Sequence, residues 1–277
     1  MNQYPPPSQE PAASYGGQPP QPGAPGPAAP RTVRLALPTS VPYVTYTIIG
    51  ITVVMYLLQL GSTYLLGYAD AASQLDWLEA YGARINDLIR AGQLWRLLTP
   101  VLLHASVPHI LFNMWALYLF GSTLERHFGP WRFLVLYVLG GFAGNVLSFL
   151  LSTGYSVGAS TAIFGLVGAE GVFLFQNRQL FGTGFRRAIG NVIFVVVVNL
   201  LLGLTPGIDN WGHVGGLIGG LLFAWFAGPV WELGGMMGAP ELRDRRELRD
   251  VVTGAAAVIV IFGGLAVWGM LAPITHG

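Results

Sequence analysis

Ser160 and His213 have the side-chain chemistry of a nucleophile and its base, and each sits at the start of an apolar segment, in Gly158-Ala159-Ser160-Thr161 and Gly212-His213-Val214-Gly215-Gly216. A hydroxyl is a weak nucleophile until a base takes its proton, and a neutral imidazole within hydrogen-bond reach is the usual base. His109 and Asn113 form a second pair, spaced i, i+4 and so on one helical face, just after the Ser106-Val107-Pro108 helix start. Both donate hydrogen bonds, and a donor aimed at the carbonyl oxygen where charge develops is worth about 2.7–4 kcal/mol in acyl transfer. The pattern predicts a serine hydrolase: Ser160 attacks, His213 acts as base and then as acid, and His109, Asn113 and the Ser160 backbone N–H make an oxyanion hole.

Other chemistries fit less well. A lone serine in a membrane helix ordinarily bonds the carbonyl four residues back, but an intramembrane histidine is a functional candidate by default, and the two together outweigh the ordinary reading. Residue 162 is Ala and no strand precedes Ser160, so the strained elbow of soluble Gly-x-Ser-x-Gly hydrolases is not expected. His104, His109 and His213 have no His-Glu-x-x-His arrangement and no acid near them in sequence, and the chain has no Cys. No metal and no cofactor are expected.

The elements that position these residues are membrane helices. Hydrophobic residues make up 53% of the chain and charged ones 10%, against about 25% charged in a soluble domain. A spanning helix needs roughly twenty mostly apolar residues, which predicts spans near 43–61, 105–122, 131–151, 158–176, 188–204, 210–228 and 251–272. Residues 1–38, rich in Pro, Gln, Gly and Ala, read as a disordered tail, 39–228 as a six-helix core, 229–250 as a charged linker, and 251–277 as a seventh helix with a short tail.

All fourteen basic residues are Arg, and their distribution predicts the topology. Eleven flank the ends of the spans that face one side, whereas Arg84, Arg90 and Arg96 share the long first loop with Asp70, Asp76, Glu79 and Asp87. The arginine-rich side is then cytoplasmic, the N-terminus is inside, the C-terminus is outside, and Ser160, His213, His109 and Asn113 share one depth near the outer face of a plasma (inner) membrane. A net charge of +1 without an uninterrupted basic stretch argues against nucleic acid as a partner.

Gly216 and Gly220 follow His213 at three and seven residues and lie below it on one face, where small residues let helix backbones approach. Phe164 sits one turn below Ser160, where its ring can pack under the imidazole. Glu170 lies ten residues from Ser160, deep in a span, and is expected to be hydrogen-bonded within the bundle or protonated; His127 and His276 read as solvated.

Between Tyr43 and Trp225 the chain resembles the rhomboid family of intramembrane serine proteases. The likeness rests on Trp95-Arg96, His104-x4-His109-x3-Asn113, Glu125-Arg126, Gly158-x-Ser160 and Gly212-His213-x2-Gly216-x3-Gly220. It implies an all-α polytopic membrane protein with a six-helix rhomboid-like core plus one C-terminal transmembrane helix. It further implies a Ser160–His213 dyad with no third acidic member, oxyanion donors at His109 and Asn113, and substrates that are single-pass membrane proteins met through their transmembrane segments in the lipid bilayer. Thr161 departs from the family, many of whose members have Gly after the nucleophile. The alternative is a catalytically silent rhomboid-like protein that binds membrane helices.

Overall fold

Inside a bilayer every backbone N–H and C=O must find its partner within the protein, so long apolar runs fold as helices. The computed structural model describes residues 39–70, 72, 74–234 and 241–271, all within the unit Ala36–Gly277. The expected tail over 1–38 and His276 lie outside the described residues.

Helix α1 is Tyr43–Leu66. A long loop follows, holding the short helices α2 (Trp77–Gly82) and α3 (Asn86–Arg90) and two 3-10 turns, Leu94–Leu97 and Thr99–Leu102. Helix α4 (Val107–Ala116) runs through a π turn at Leu117–Gly121 into α5 (Ser122–Phe128). Then come α6 (Pro130–Leu151), α7 (Ser160–Gln176), the single turn α8 (Arg178–Phe181), α9 (Phe185–Leu202) and α10 (Asn210–Ala227). A small antiparallel hairpin of β1 (Trp231–Gly234) and β2 (Glu241–Asp244) pairs Trp231 with Asp244, and α11 (Leu248–Leu271) ends the described chain.

The molecule is an all-α polytopic membrane protein, with one small hairpin among the described residues. Its centre is α6, α7 and α10, which pack on one another; α11 lies against α10 and α6, and α9 touches chiefly α7. Phe133, Phe149, Leu136, Leu166 and Phe223 fill the core.

By length and apolar composition alone, four described helical stretches are able to cross a membrane, Tyr43–Leu66, Pro130–Leu151, Arg178–Leu202 and Leu248–Leu271, where the sequence predicts seven. The other three are short or polar for a physical reason. The π turn divides the second span, Gly158 stops α7 from starting before Ser160, and α10 trades apolar side chains for a histidine and five glycines. Helices that face protein rather than lipid do not need high hydropathy.

The segment read as a charged linker contains the hairpin. Arg132 bonds Asp244 at 2.5 Å, and Asp244 accepts the N–H groups of Val230 and Arg246. His127 is half-buried, with its ring stacked on Phe173 at 5.1 Å, because the end of α5 packs on α7; it is not the solvated group the sequence suggests.

Glu125 caps α1. Its carboxylate accepts the Val44 and Thr45 N–H groups at 2.9 and 2.7 Å and the Thr45 hydroxyl at 2.7 Å, satisfying orphan donors of that helix start. Trp95 and Arg96 are parts of the first loop. Arg96 is buried and donates to the carbonyls of Ala83 and Ala80 at 2.8 and 2.7 Å, and Trp95 stacks on Tyr81.

Candidate active site

Gly158 has φ +130°, a conformation that side-chain-bearing residues rarely adopt, and this turn places Ser160 as the first residue of α7. The segment is held on both sides: Gly158 N–H donates to the Pro100 carbonyl at 2.9 Å, and Ala159 N–H donates to His104 Nε2 at 3.4 Å. As the first helical residue, Ser160 has no intrahelical carbonyl for its own N–H.

Helix α10 begins at an N-cap. Asp209 accepts the Gly212 N–H at 3.1 Å, and His213 follows in the first turn. Ser148 and Ser152 also donate to Asp209, and the buried Arg84 guanidinium stands 3.9 Å from it. Burial pushes the Asp209 carboxyl up, but the Ser148 and Ser156 hydroxyls, Arg84 and the Gly212 N–H together hold it below the usual carboxylate value. Arg84 itself pairs with Ser156 through the backbone, tying the first loop to the approach to Ser160.

Glycine lets the two helices meet. A Cβ on Gly216 would overlap the backbone carbonyl of Thr161, and one on Gly220 would overlap that of Gly165, so α7 and α10 touch backbone to backbone. At this separation Ser160 Oγ lies 3.0 Å from His213 Nε2. Phe164 lies flat under the imidazole, with ring centroids 4.3 Å apart and planes 6° from parallel. His213 is buried, and its Nδ1 has no hydrogen-bond partner among the described residues. With Nε2 facing the hydroxyl as acceptor, the proton belongs on Nδ1.

On the other side of Ser160 stands His109. A Cβ on Gly158 would lie 2.7 Å from His109 Nε2 and 3.7 Å from Ser160 Oγ, so the imidazole edge and the hydroxyl border the same small space, kept open by the missing side chain. Asn113 is buried one turn further along α4, where its amide donates to the His109 carbonyl at 3.0 Å and keeps a second N–H. Ser160, His213, Phe164, Gly158, His109 and Asn113 thus lie toward one end of the bundle, and Gly216 and Gly220 continue the α7–α10 contact from there toward mid-helix.

Thr161 points away from this space. Its side chain sits between Gly144 of α6 and Gly212 of α10, each of which would clash with it if it carried a Cβ. Glu170 lies deeper, half-buried, with Oε2 unpartnered among the described residues.

A supporting network escaped the sequence reading. The Gln59 side chain bonds both the N–H and the carbonyl of His104, at 3.0 and 3.3 Å, and donates to Asp76 at 2.7 Å. Asp76 and Glu79 form a capping box at the start of α2. Burial, with Asp76 beside it, pushes the Glu79 carboxyl up to about 7. Burial, with His109 beside it, pushes His104 down to about 3, so His104 is a neutral packing group that accepts from Ala159. The signals were present in part: Asp76-x2-Glu79 has the spacing of a capping box, and Asp209 stands where an N-cap belongs. Gln59 and Arg84 carry no such local mark.

A family model described as the rhomboid domain matches residues 91–230, half of the chain. Rhomboid protease GluP of Bacillus subtilis (strain 168) is 40% identical over 185 residues, covering 66% of this chain and 34% of that protein. Two proteins of Arabidopsis thaliana are also similar. RHOMBOID-like protein 9, chloroplastic, is 39% identical over 155 residues (56% of this chain, 36% of that one), and RHOMBOID-like protein 1 is 41% identical over 147 residues (52% and 38%). The chain thus spans somewhat over a third of the length of these curated relatives.

Proposed function

This chain belongs to the rhomboid family, and on that premise we propose that it is an intramembrane serine endopeptidase working through Ser160 and His213. The observation that carries the reading is the 3.0 Å approach of Ser160 Oγ to His213 Nε2, with a glycine-lined space on the far side of the hydroxyl. Ser160 Oγ attacks the scissile carbonyl while His213 Nε2 takes its proton, then returns that proton to the departing amine. Water, deprotonated by the same imidazole, releases the acyl group. The tetrahedral oxyanion falls toward the Ser160 N–H, with His109 and the free N–H of Asn113 as further donors. No carboxylate bonds Nδ1 of His213 among the described residues; the stacked Phe164 ring orients the imidazole instead.

The substrates in this reading are single-pass membrane proteins cut in or near their transmembrane helices. A helical peptide bond is shielded, and each backbone group freed in lipid costs several kcal/mol, so helix-weakening Gly or Pro near the cut favours cleavage. The arginine distribution supports an N-terminus inside and a site near the outer face of the plasma (inner) membrane. The catalytic unit is the six-helix core over 39–228, with α11 appended through the hairpin.

The test is labelling of the full chain in proteoliposomes by a fluorophosphonate, with cleavage of a reporter membrane helix measured in parallel. Wild type should label at Ser160 and cleave; Ser160→Ala should do neither, and His213→Ala should lose both while staying folded. A folded wild type that neither labels nor cleaves would overturn the protease reading in favour of a silent membrane-helix binder.

A further inference from the structure

At the end of the bundle away from Ser160, α7, α9 and α10 diverge around an apolar cleft of about 660 Å³. Each helix contributes a matching stretch: Val167 to Phe175, Ile189 to Val197, and Leu217 to Trp225. At 1.5 Å per residue each stretch is about 12 Å long, close to the hydrocarbon depth of one leaflet of a bilayer about 30 Å thick. The cleft therefore runs from the helix ends to about mid-membrane. Its walls offer almost no polar atoms, and α9 buries little of itself beyond Val192, so the seam is not closed by protein side chains.

The mouth of the cleft has the opposite character. Phe175 and Trp225 stack across it with centroids 6.4 Å apart, and the Arg178 guanidinium covers the Phe175 ring at 5.1 Å. Arg246 donates to the Trp225 carbonyl at 2.8 Å, as does Gln176 at 2.9 Å. The Nε of Arg246 and the Oε1 of Gln176 are buried without a partner among the described residues. Arg186 stands one turn before Ile189 on the cleft-facing stripe of α9. None of Arg178, Arg186 and Arg246 is in an ion pair with a carboxylate among the described residues, whereas Arg132, Arg245 and Arg249 each are.

We propose that this cleft binds one anionic phospholipid, an acyl chain lying between α7, α9 and α10 and the phosphate held by Arg178, Arg186 and Arg246. An apolar slot of leaflet length with an uncompensated basic mouth is complementary to that molecule in shape and charge, and basic pockets between membrane helices bind anionic head groups. A zwitterionic lipid satisfies the slot but not the mouth. The inference rests on the membrane reading of the helices and is independent of the catalytic proposal.

Native mass spectrometry of the detergent-solubilised full chain, titrated with phosphatidylglycerol or phosphatidylcholine, reads the binding directly and needs no activity. Wild type should retain one phosphatidylglycerol at least 10-fold more tightly than phosphatidylcholine. Arg178→Gln with Arg246→Gln should lower phosphatidylglycerol retention at least 10-fold and leave phosphatidylcholine unchanged. Gly171→Leu, which fills the slot, should weaken both lipids; Arg243→Gln on the hairpin should change neither. Equal retention of the two lipids by wild type, or no loss in the double Arg variant, would overturn the proposal. So would cross-linking in native membranes that finds a protein helix in the cleft in place of lipid.

Discussion

The Phe164 ring lies parallel to the His213 imidazole at a centroid distance of 4.3 Å, under the face of the base that meets Ser160. Nδ1 has no partner among the described residues, so that stack and the Ser160 contact at Nε2 are what orient the ring. An aromatic pair contributes about 0.5–1.5 kcal/mol beyond its buried area. Phe164→Leu should therefore lower kcat by roughly 2- to 13-fold with KM little changed, measured on a reporter membrane helix. An unchanged kcat would show that the stack does not orient the base.

In the proposed mechanism His109 and Asn113 share the oxyanion role. Each single change to Ala should reduce kcat on the order of 10²-fold or more, with little effect on substrate binding, because the charge they meet exists only in the transition state. Asn113 already spends one N–H on the His109 carbonyl, so Asn113→Ala also loosens His109 and the two losses should not add. Wild-type kcat with a raised KM in both variants would make these residues substrate contacts.

Gly216 is fixed by packing. The Cβ of Gly216→Ala would overlap the Thr161 carbonyl, so either the α7–α10 crossing opens or the variant is strained, at a cost of about 1–3 kcal/mol. Thermal unfolding should shift down accordingly, and fluorophosphonate labelling of Ser160 should fall. Gly264→Ala, with nothing within 4 Å of the added atom, is the matched helix-interior control and should lower neither. Equal behaviour of the two variants would refute the close crossing.

Glu79 makes the first loop sensitive to pH. Its carboxyl titrates at about 7 in the folded protein, above the ordinary value of 4.5. The folded state therefore holds the proton more tightly, and the stability from that tighter hold is complete below about 4.5 and lost as pH rises through about 7. His104, depressed to about 3, acts in the opposite direction from about 6.5 downward, so the prediction concerns a difference. Glu79→Gln should gain melting temperature relative to wild type as pH rises from 4.5 to 8. A pH-independent difference between the two proteins would contradict it.

Much of the architecture is legible in the chain because it is written in local composition. Lipid demands apolar helices, so α1, α6, α9 and α11 stand out as unbroken runs, and the clustering of Ser160, His213, His109 and Asn113 near the starts of their helices marks one end of the bundle. The spans that carry the chemistry are less legible. The second is divided by the π turn at Leu117–Gly121, and α10 is glycine-rich because its neighbours are backbones rather than lipid.

The sequence by itself determined that the chain is helical and membrane-bound, which residues have the chemistry of nucleophile and base, and that Gly216 and Gly220 line one face below His213. Only the tertiary structure decided that Ser160 begins α7, that Thr161 turns toward Gly144 and Gly212, and that Arg84 reaches Asp209 across the first loop. It also decided that Gln59 holds His104 from 45 residues away. The division follows the range of the forces. Burial in lipid acts on each segment wherever it lies and so appears as local hydropathy, whereas a hydrogen bond between distant residues depends on how whole helices cross, which no local pattern encodes.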